Sequence, residues 1–272
     1  MQLQPNEAQP GLREPLRFTR KTFGALIALA AVIALLAITR NDLASAEWNA
    51  IFGHGNWAVR MDWLLFGIFL FFLICTSLDP NLRLDLATVA AGFAGGTVIE
   101  IWGTQTGLWY YYTGEKPPLW ILPAWSASAL ANEKLQRAIM RLLPESWREK
   151  IISDAGGGRE VRVLHAFIAA PLLLFFLYWS SPTITQPISI AVTLLIFTAI
   201  CRHRFPYYAF SLFFAGAVLG IFLEIWGTTR HCWNYYDGKT PSPFPILGHG
   251  MAGVAFWRLK GFMRSLFSFL KA

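Results

Sequence analysis

One stretch of this chain is written twice, 124 positions apart. Gly92, Gly96, Glu100 and Thr104 recur without a gap as Gly216, Gly220, Glu224 and Thr228. Glu100-Ile101-Trp102-Gly103-Thr104 reappears as Glu224-Ile225-Trp226-Gly227-Thr228. The echo runs on through Trp109/Trp233, Tyr111/Tyr235, Tyr112/Tyr236, Gly114/Gly238 and Pro117/Pro241. An internal repeat of this kind asks for two structural units of like design. A carboxylate and a set of Trp and Tyr are common to both halves, while the apolar residues around them differ.

The rest of the chain says where those units sit. Of 272 residues, 55% are hydrophobic, 15% aromatic and 14% charged. Soluble domains carry roughly 25% charge. Leu, Ile, Phe and Ala come in runs near the roughly 20 residues that cross a bilayer. Eight segments read as spans: 22–39, 61–78, 86–104, 118–133, 163–180, 186–201, 207–226 and 243–258, the fourth and eighth being short. The expected fold is all-α, a polytopic membrane helix bundle of about eight transmembrane helices. Each half then holds four spans, and an even number makes the repeats parallel, about an axis along the membrane normal. The divisions are a basic N-terminus at 1–21, a first four-helix repeat at 22–133, a linker at 134–162, a second repeat at 163–258 and a basic C-terminus at 259–272.

With both termini inside, 18 Lys and Arg fall on the inner side and 5, namely Arg40, Arg60, Lys116, Arg230 and Lys239, on the outer. That bias sets the orientation, in the cytoplasmic membrane of a bacterium or archaeon. The net charge of +7 then reflects topology and contact with membrane lipids, not nucleic acid. Residues 1–21 lack the apolar core and cleavage site of a signal peptide, so 22–39 reads as a retained helix. Cys75, Cys201 and Cys232 imply no disulfide framework. In the linker, Leu135, Ile139, Leu142 and Leu143 are spaced as an amphipathic helix on the inner surface. Pro144 stops it, and Gly156–Gly158 reads as a flexible joint. Asp85, Glu133, Lys134 and His165 read as interfacial, as does His203.

Gly92, Gly96, Glu100 and Thr104 stand four apart and form one stripe on a helix, as do Gly216, Gly220, Glu224 and Thr228. Gly-x-x-x-Gly lets membrane helices approach closely. The expectation is that the third and seventh spans cross at these glycines, bringing Glu100 beside Glu224 toward the outer end. Carboxylates at that depth are costly and mark function. Two side by side would not both ionise, which leaves a proton available for general acid catalysis, helped by Thr104 and Thr228. The equally simple reading is that each Glu bonds nearby Thr, Trp or Tyr and holds the bundle together.

Trp102, Trp109, Tyr111, Tyr112 and Trp120 surround the first Glu. Trp226, Trp233, Tyr235, Tyr236 and Phe244 surround the second. Aromatic rings gather at membrane interfaces in general, but identical offsets in both repeats favour a substrate-binding box whose ring faces stabilise a cation. The halves also differ. Tyr110 is matched by Asn234, Thr113 by Asp237, Trp125 by His249, and Thr106 and Gly107 by Arg230 and His231. Asp237, His231 and His249 therefore enrich the second half in polar and titratable groups, where more of the chemistry is expected. No cofactor is predicted. A metal at His54, His231 and His249 is the lesser option, since no ligand spacing such as His-x-x-x-His is present.

The run from Glu100 through Thr104, Thr106-Gly107 and Tyr110-Tyr111-Tyr112, followed by Leu122-Pro123-Ala124-Trp125, resembles the polytopic carotenoid hydratases of bacteria and archaea. In that family an intramembrane Glu precedes a Gly, a Thr-Gly pair, a Tyr-rich turn and a Pro-Trp re-entry. The resemblance covers about 30 residues, and the internal duplication departs from it. It implies an apolar isoprenoid ligand. Read with the acid pair, this suggests hydration, cyclisation or isomerisation of an isoprenoid or carotenoid. A non-catalytic lipid or pigment binder, or a transporter using the same residues as its vestibule, is the alternative.

Overall fold

A computed structural model describes residues 20–52, 67, 70–74, 77, 80–153, 158–202 and 205–269. The described residues are helical apart from connecting turns and one pair of three-residue strands. The helices are α1 (Arg20–Thr39), α2 (Asn41–Phe52), α3 (Leu82–Thr106), α4 (Ile121–Leu142), α5 (Glu145–Ser153), α6 (Arg159–Ser180), α7 (Pro187–Cys201), α8 (Pro206–Thr229) and α9 (Pro243–Phe269). Strands β1 (Trp109–Tyr111) and β2 (Trp233–Tyr235) follow α3 and α8. Four helical stretches are long and apolar enough to cross a membrane: Arg20–Thr39, Leu82–Thr106, Arg159–Thr183 and Pro206–Thr229. The chain is therefore an all-α protein with the character of a membrane protein.

The chain forms two compact units, one of which is Leu16–Leu82. Within it, α1 turns Ile27, Leu35 and Ile38 outward, 60–75% exposed, as a lipid-facing helix does. The stretch between the expected spans 22–39 and 61–78 begins with a helix, α2. Asp42 in its first turn complements the helix dipole, and no Gly or Pro interrupts the run before Gly53. Trp48 stands exposed on it. His54, Trp57 and most of the expected span 61–78 lie outside the described residues, though 70–74 are helical.

The other unit contains Arg83–Ala272 and carries the repeated motif. Its core is aromatic: Trp102, Trp109, Phe176, Trp179, Tyr208, Tyr235 and Phe244 pack in one cluster. Trp179 stacks on Phe244 at 4.8 Å, and Trp102 meets Trp109 edge-on at 5.8 Å.

The segments 118–133 and 243–258, expected as short spans, fall largely within longer helices. Helix α4 has 22 residues and α9 has 27. The amphipathic surface helix expected after residue 133 is the last third of α4, continuous with it. Its polar face is buried: Glu133, Lys134 and Arg137 are 4–6% exposed. Glu133, Lys134 and Asp85, read from sequence as interfacial, thus pair with other helices instead of standing free at a surface. These charges are matched inside the bundle, Glu133 by Lys260 and Lys134 by Asp85. Pairing offsets part of the desolvation cost of burying these charges. His165 is likewise buried, against the Phe210 ring. Pro144 does end the helix, with Leu143 extended before it. Gly156, Gly157 and His203 lie outside the described residues.

Candidate functional site

Each repeated motif builds a small cage around its glutamate, and the two cages share most of their bonds. Helix α3 ends in a turn where Leu108 N–H donates to Gly103 O at 2.9 Å; Cys232 N–H donates to Gly227 O at 2.9 Å in α8. The chain reverses through a left-handed residue, Gly107 (φ 78) in one half and His231 (φ 55) in the other. Glycine adopts that conformation freely and histidine does so rarely. After β1 and β2 a second left-handed glycine, Gly114 (φ 73) or Gly238 (φ 66), closes a turn on Tyr111 or Tyr235.

This reversal folds the aromatics back over the helix that precedes them. Trp109 Nε1 donates to Glu100 Oε2 at 3.1 Å, and Trp233 Nε1 donates to Glu224 Oε2 at 3.1 Å. Tyr111 OH donates to Glu100 Oε1 at 2.9 Å, and Tyr235 OH to both Glu224 oxygens at 2.9 Å. Room for the indoles comes from Gly103 and Gly227. A Cβ at Gly103 would lie 1.9 Å from the Trp109 ring, and one at Gly227 2.0 Å from Trp233. The motif Glu-Ile-Trp-Gly-Thr is thus read physically: the Gly one turn after the Glu is the floor on which the indole lies.

The strands themselves pair. Trp109 faces Tyr235, Tyr110 faces Asn234, and Tyr111 faces Trp233, antiparallel. Since 110 and 234 are equivalent positions, the pairing is centred on them, a local two-fold. Tyr112 N–H donates to Cys232 O and Tyr236 N–H to Leu108 O, extending the clasp on both sides.

The third donor to each carboxylate comes from the helix after the strand. Trp125 Nε1 on α4 donates to Glu100 Oε1 at 2.7 Å. At the equivalent place on α9, His249 Nε2 lies 3.1 Å from Glu224 Oε1. The Trp125 and His249 rings stack at 5.4 Å and 22°. Each carboxylate is 2% exposed and has its own donors, and the third donors of the two cages stack on one another.

The glycine stripes explain how those third donors arrive, and they correct the expected crossing of the two glycine helices. A Cβ at Gly92 would meet Ala129 and Trp125 O, and one at Gly96 the Trp125 side chain at 2.4 Å. A Cβ at Gly216 would meet His249 O, and one at Gly220 Ile246 O and the His249 side chain. Each stripe thus seats the next helix of its own half: α4 on α3 and α9 on α8. Close approach there is what lets Trp125 and His249 reach a Glu one turn further along.

The first carboxyl is ringed by donors. Indole N–H can only donate. Glu100 takes one indole N–H on each oxygen, so neither oxygen is placed to give away a proton toward them. The arrangement suits a carboxylate. Glu224 differs, because imidazole can donate or accept. Burial first, and then the neighbouring Glu100 charge, push the Tyr111 phenol well above 10. Burial and Glu224 do the same for Tyr235, so both phenols are neutral donors at any physiological pH.

Other expected site residues are placed differently. Thr104 and Thr228 hydroxyls turn back onto the Glu100 and Glu224 carbonyls, both at 2.6 Å. Trp102 donates to Ser189 at 3.0 Å, and Trp226 packs edge-on against Trp233 at 6.2 Å. Tyr112 and Tyr236 are exposed at the outer surface of the clasp, Tyr236 OH donating to Trp179 O at 2.6 Å. Its phenol is raised by partial burial and then by Asp237. Asp237 accepts from Ser242 at 2.7 Å and from Lys239 N–H at 3.2 Å. His231 is exposed and pairs with Asn234 at 2.9 Å. Among the described residues no three His, Cys, Asp or Glu side chains converge as metal ligands; His54 lies outside them.

Sequence reasoning missed Trp125 as a ligand of Glu100, although its match to His249 was the signal. It also missed Trp179, which packs 6.5 Å from Trp109 and 5.8 Å from Tyr235. No family model matches the chain, and comparison with curated proteins and with solved structures found no match.

Proposed function

We propose that the protein is an integral membrane enzyme that moves protons on an apolar lipid, with Glu224 and His249 as the proton-handling pair. The observation that carries this reading is His249 Nε2 at 3.1 Å from Glu224 Oε1, where the first half has a non-titrating indole on Glu100. A carboxyl and an imidazole in hydrogen-bond contact are groups that serve as general acid and base. In the proposed step that proton passes to one carbon of a C=C bond, and the other carbon becomes a cation. Water then adds and returns its proton to the pair, or a neighbouring C–H gives up its proton and the double bond moves. Indole faces of Trp102, Trp109, Trp226 and Trp233, with the Glu100 carboxylate, supply the negative potential that such a cation needs. The resemblance noted above supports an isoprenoid or carotenoid as the lipid.

The architecture that goes with this reading is eight spans in two parallel four-helix repeats, with both termini on the cytoplasmic side. Equivalent bonds at equivalent positions, and strands paired about residues 110 and 234, favour it. A second reading is a non-catalytic lipid or pigment binder, or a transporter. It is favoured by the enclosure of both carboxylates at 2% exposure, with every one of their oxygens already bonded.

The test is to purify wild type, Glu224→Gln and His249→Gln from the same membranes and identify bound lipids by mass spectrometry. The enzyme reading expects the variants to hold a substrate and wild type its hydrated or isomerised form. Identical lipids in identical ratios in all three would leave the binder or transporter.

A further inference from the structure

Far from the strand clasp, α3, α4 and α9 enclose a second set of charges. Thr88 lies 12 residues before Glu100 on α3, about 18 Å along the helix. Its hydroxyl donates to Glu133 Oε2 at 3.1 Å, and Lys260 Nζ lies 3.1 Å from the same hydroxyl. Lys260 also pairs directly with Glu133. Beside this group, Lys134 donates to Asp85 Oδ2 at 3.1 Å. The cluster holds two carboxylates, Asp85 and Glu133, and three cations, Lys134, Arg137 and Lys260.

Two of those cations close tight pairs and Arg137 does not. It is 6% exposed, yet its Nη2 stands 3.9 Å from Asp85 Oδ1, beyond hydrogen-bond reach. Its buried Nε has no hydrogen-bond partner. A guanidinium offers five N–H groups in a fixed fork, and a buried charge short of partners is costly. The cation excess grows toward the helix ends, with Arg141 one turn beyond Arg137 on α4 and Arg264 one turn beyond Lys260 on α9. Arg137 stands five residues before the end of α4, and Asp85 lies in the first turn of α3. In the proposed span arrangement these helix ends lie at the inner side, where lipid phosphates stand.

We infer that Arg137 is the anchor of a phosphate site, filled by the phosphate of an anionic lipid headgroup or by soluble phosphate. Guanidinium binds a phosphate through two parallel N–H···O bonds. Its long stem lets the head turn from the helix interface to the bundle edge without moving α4. Asp85, held by Lys134, competes with the anion for Arg137 and keeps the site from binding too tightly.

The experiment places wild type, Arg137→Gln and Asp85→Asn in nanodiscs of phosphatidylcholine containing phosphatidylglycerol. Native mass spectrometry then counts retained phosphatidylglycerol, with and without millimolar inorganic phosphate. Wild type should retain it, Arg137→Gln should lose at least about tenfold in retention, as loss of a charged hydrogen bond implies, and Asp85→Asn should retain more. Release by inorganic phosphate would make soluble phosphate an equal occupant; persistence would make the lipid the occupant. Equal retention by wild type and Arg137→Gln would overturn the inference. So would loss of retention in Asp85→Asn, which would make Arg137 a partner of Asp85 and nothing more. Should Arg137→Gln fail to fold, Asp85→Asn alone decides, since the two readings expect opposite changes.

Discussion

The Glu100 and Glu224 cages share five features and differ in one. Both have the helix-end turn, the glycine floor, the indole donor, the phenol donor and the glycine-stripe seat. The sixth place is Trp125 in one and His249 in the other. Five matched features teach that the cage is an architectural unit, repeated because it folds the helix end and the strand together. The unmatched place teaches where function can enter. An indole can only donate to its carboxyl, whereas an imidazole can donate or accept.

The largest expected effect breaks both cages alike. Gly103→Ala and Gly227→Ala each place a methyl about 2 Å from an indole ring, at 1.9 and 2.0 Å, so the ring must leave its carboxylate. Each should cost about 3–5 kcal/mol, as does stripping a partner from a buried charge. Denaturant melts followed by Trp fluorescence check this. A normal melt for one variant alone would mean the cages are not equivalent.

Raising the pH should also strike both halves. Tyr111 and Tyr235 titrate well above 10 in the folded protein because burial disfavours their charged form. Unfolded, they would lose protons near 10. Stability they contribute is thus complete below about pH 10 and falls as pH rises further, because the unfolded chain then binds fewer protons. Ultraviolet phenolate absorbance against pH should show these two tyrosines ionising only with unfolding. Smooth ionisation of all tyrosines in the folded protein would count against the closed cages.

The third prediction separates the halves. In Glu100→Gln the new amide N–H₂ must face an indole N–H, donor against donor. In Glu224→Gln it can donate to neutral His249 Nε2. Glu100→Gln should therefore be less stable than Glu224→Gln by about 1–3 kcal/mol, the cost of an unsatisfied buried group. Equal losses would show that His249 holds its proton at Nε2. Adding Trp125→His to Glu100→Gln should recover most of the difference.

The smallest effect is expected at Thr104→Val and Thr228→Val. These hydroxyls only bond the carbonyl four residues back, so loss should cost under about 1 kcal/mol and leave the proposed turnover intact. Thermal melts and product analysis decide. Lost turnover with normal stability would return a catalytic part to the hydroxyls.

The repeat made much of the site legible. Glu100, Trp109 and Tyr111 lie within 11 residues, so a local turn brings them together, and the same holds for Glu224, Trp233 and Tyr235. What lay further along the chain was harder to read. Trp125 reaches Glu100 only because α4 sits hard against Gly92 and Gly96, and the sequence does not say which neighbour a glycine stripe receives. The buried face of α4 misled for a related reason. Glu133 and Lys134 look like surface residues until Lys260, 127 positions away, and Asp85 are brought beside them. Helix α2 was hidden because a modest run of Ala and Asn between two spans carries no strong periodicity.

The clasp centred on Tyr110 and Asn234 has a consequence for how such a molecule can diversify. In an assembly of two separate identical subunits, a residue on the two-fold faces its own copy, so every change there is made twice and against itself. Joining both copies in one polypeptide lifts that restriction, and its mark is visible at the two places nearest the centre. Tyr faces Asn across the strands, and an indole lies on an imidazole beneath them. Fusion thus turns the one location where a symmetric pair must be uniform into the location where its halves can specialise.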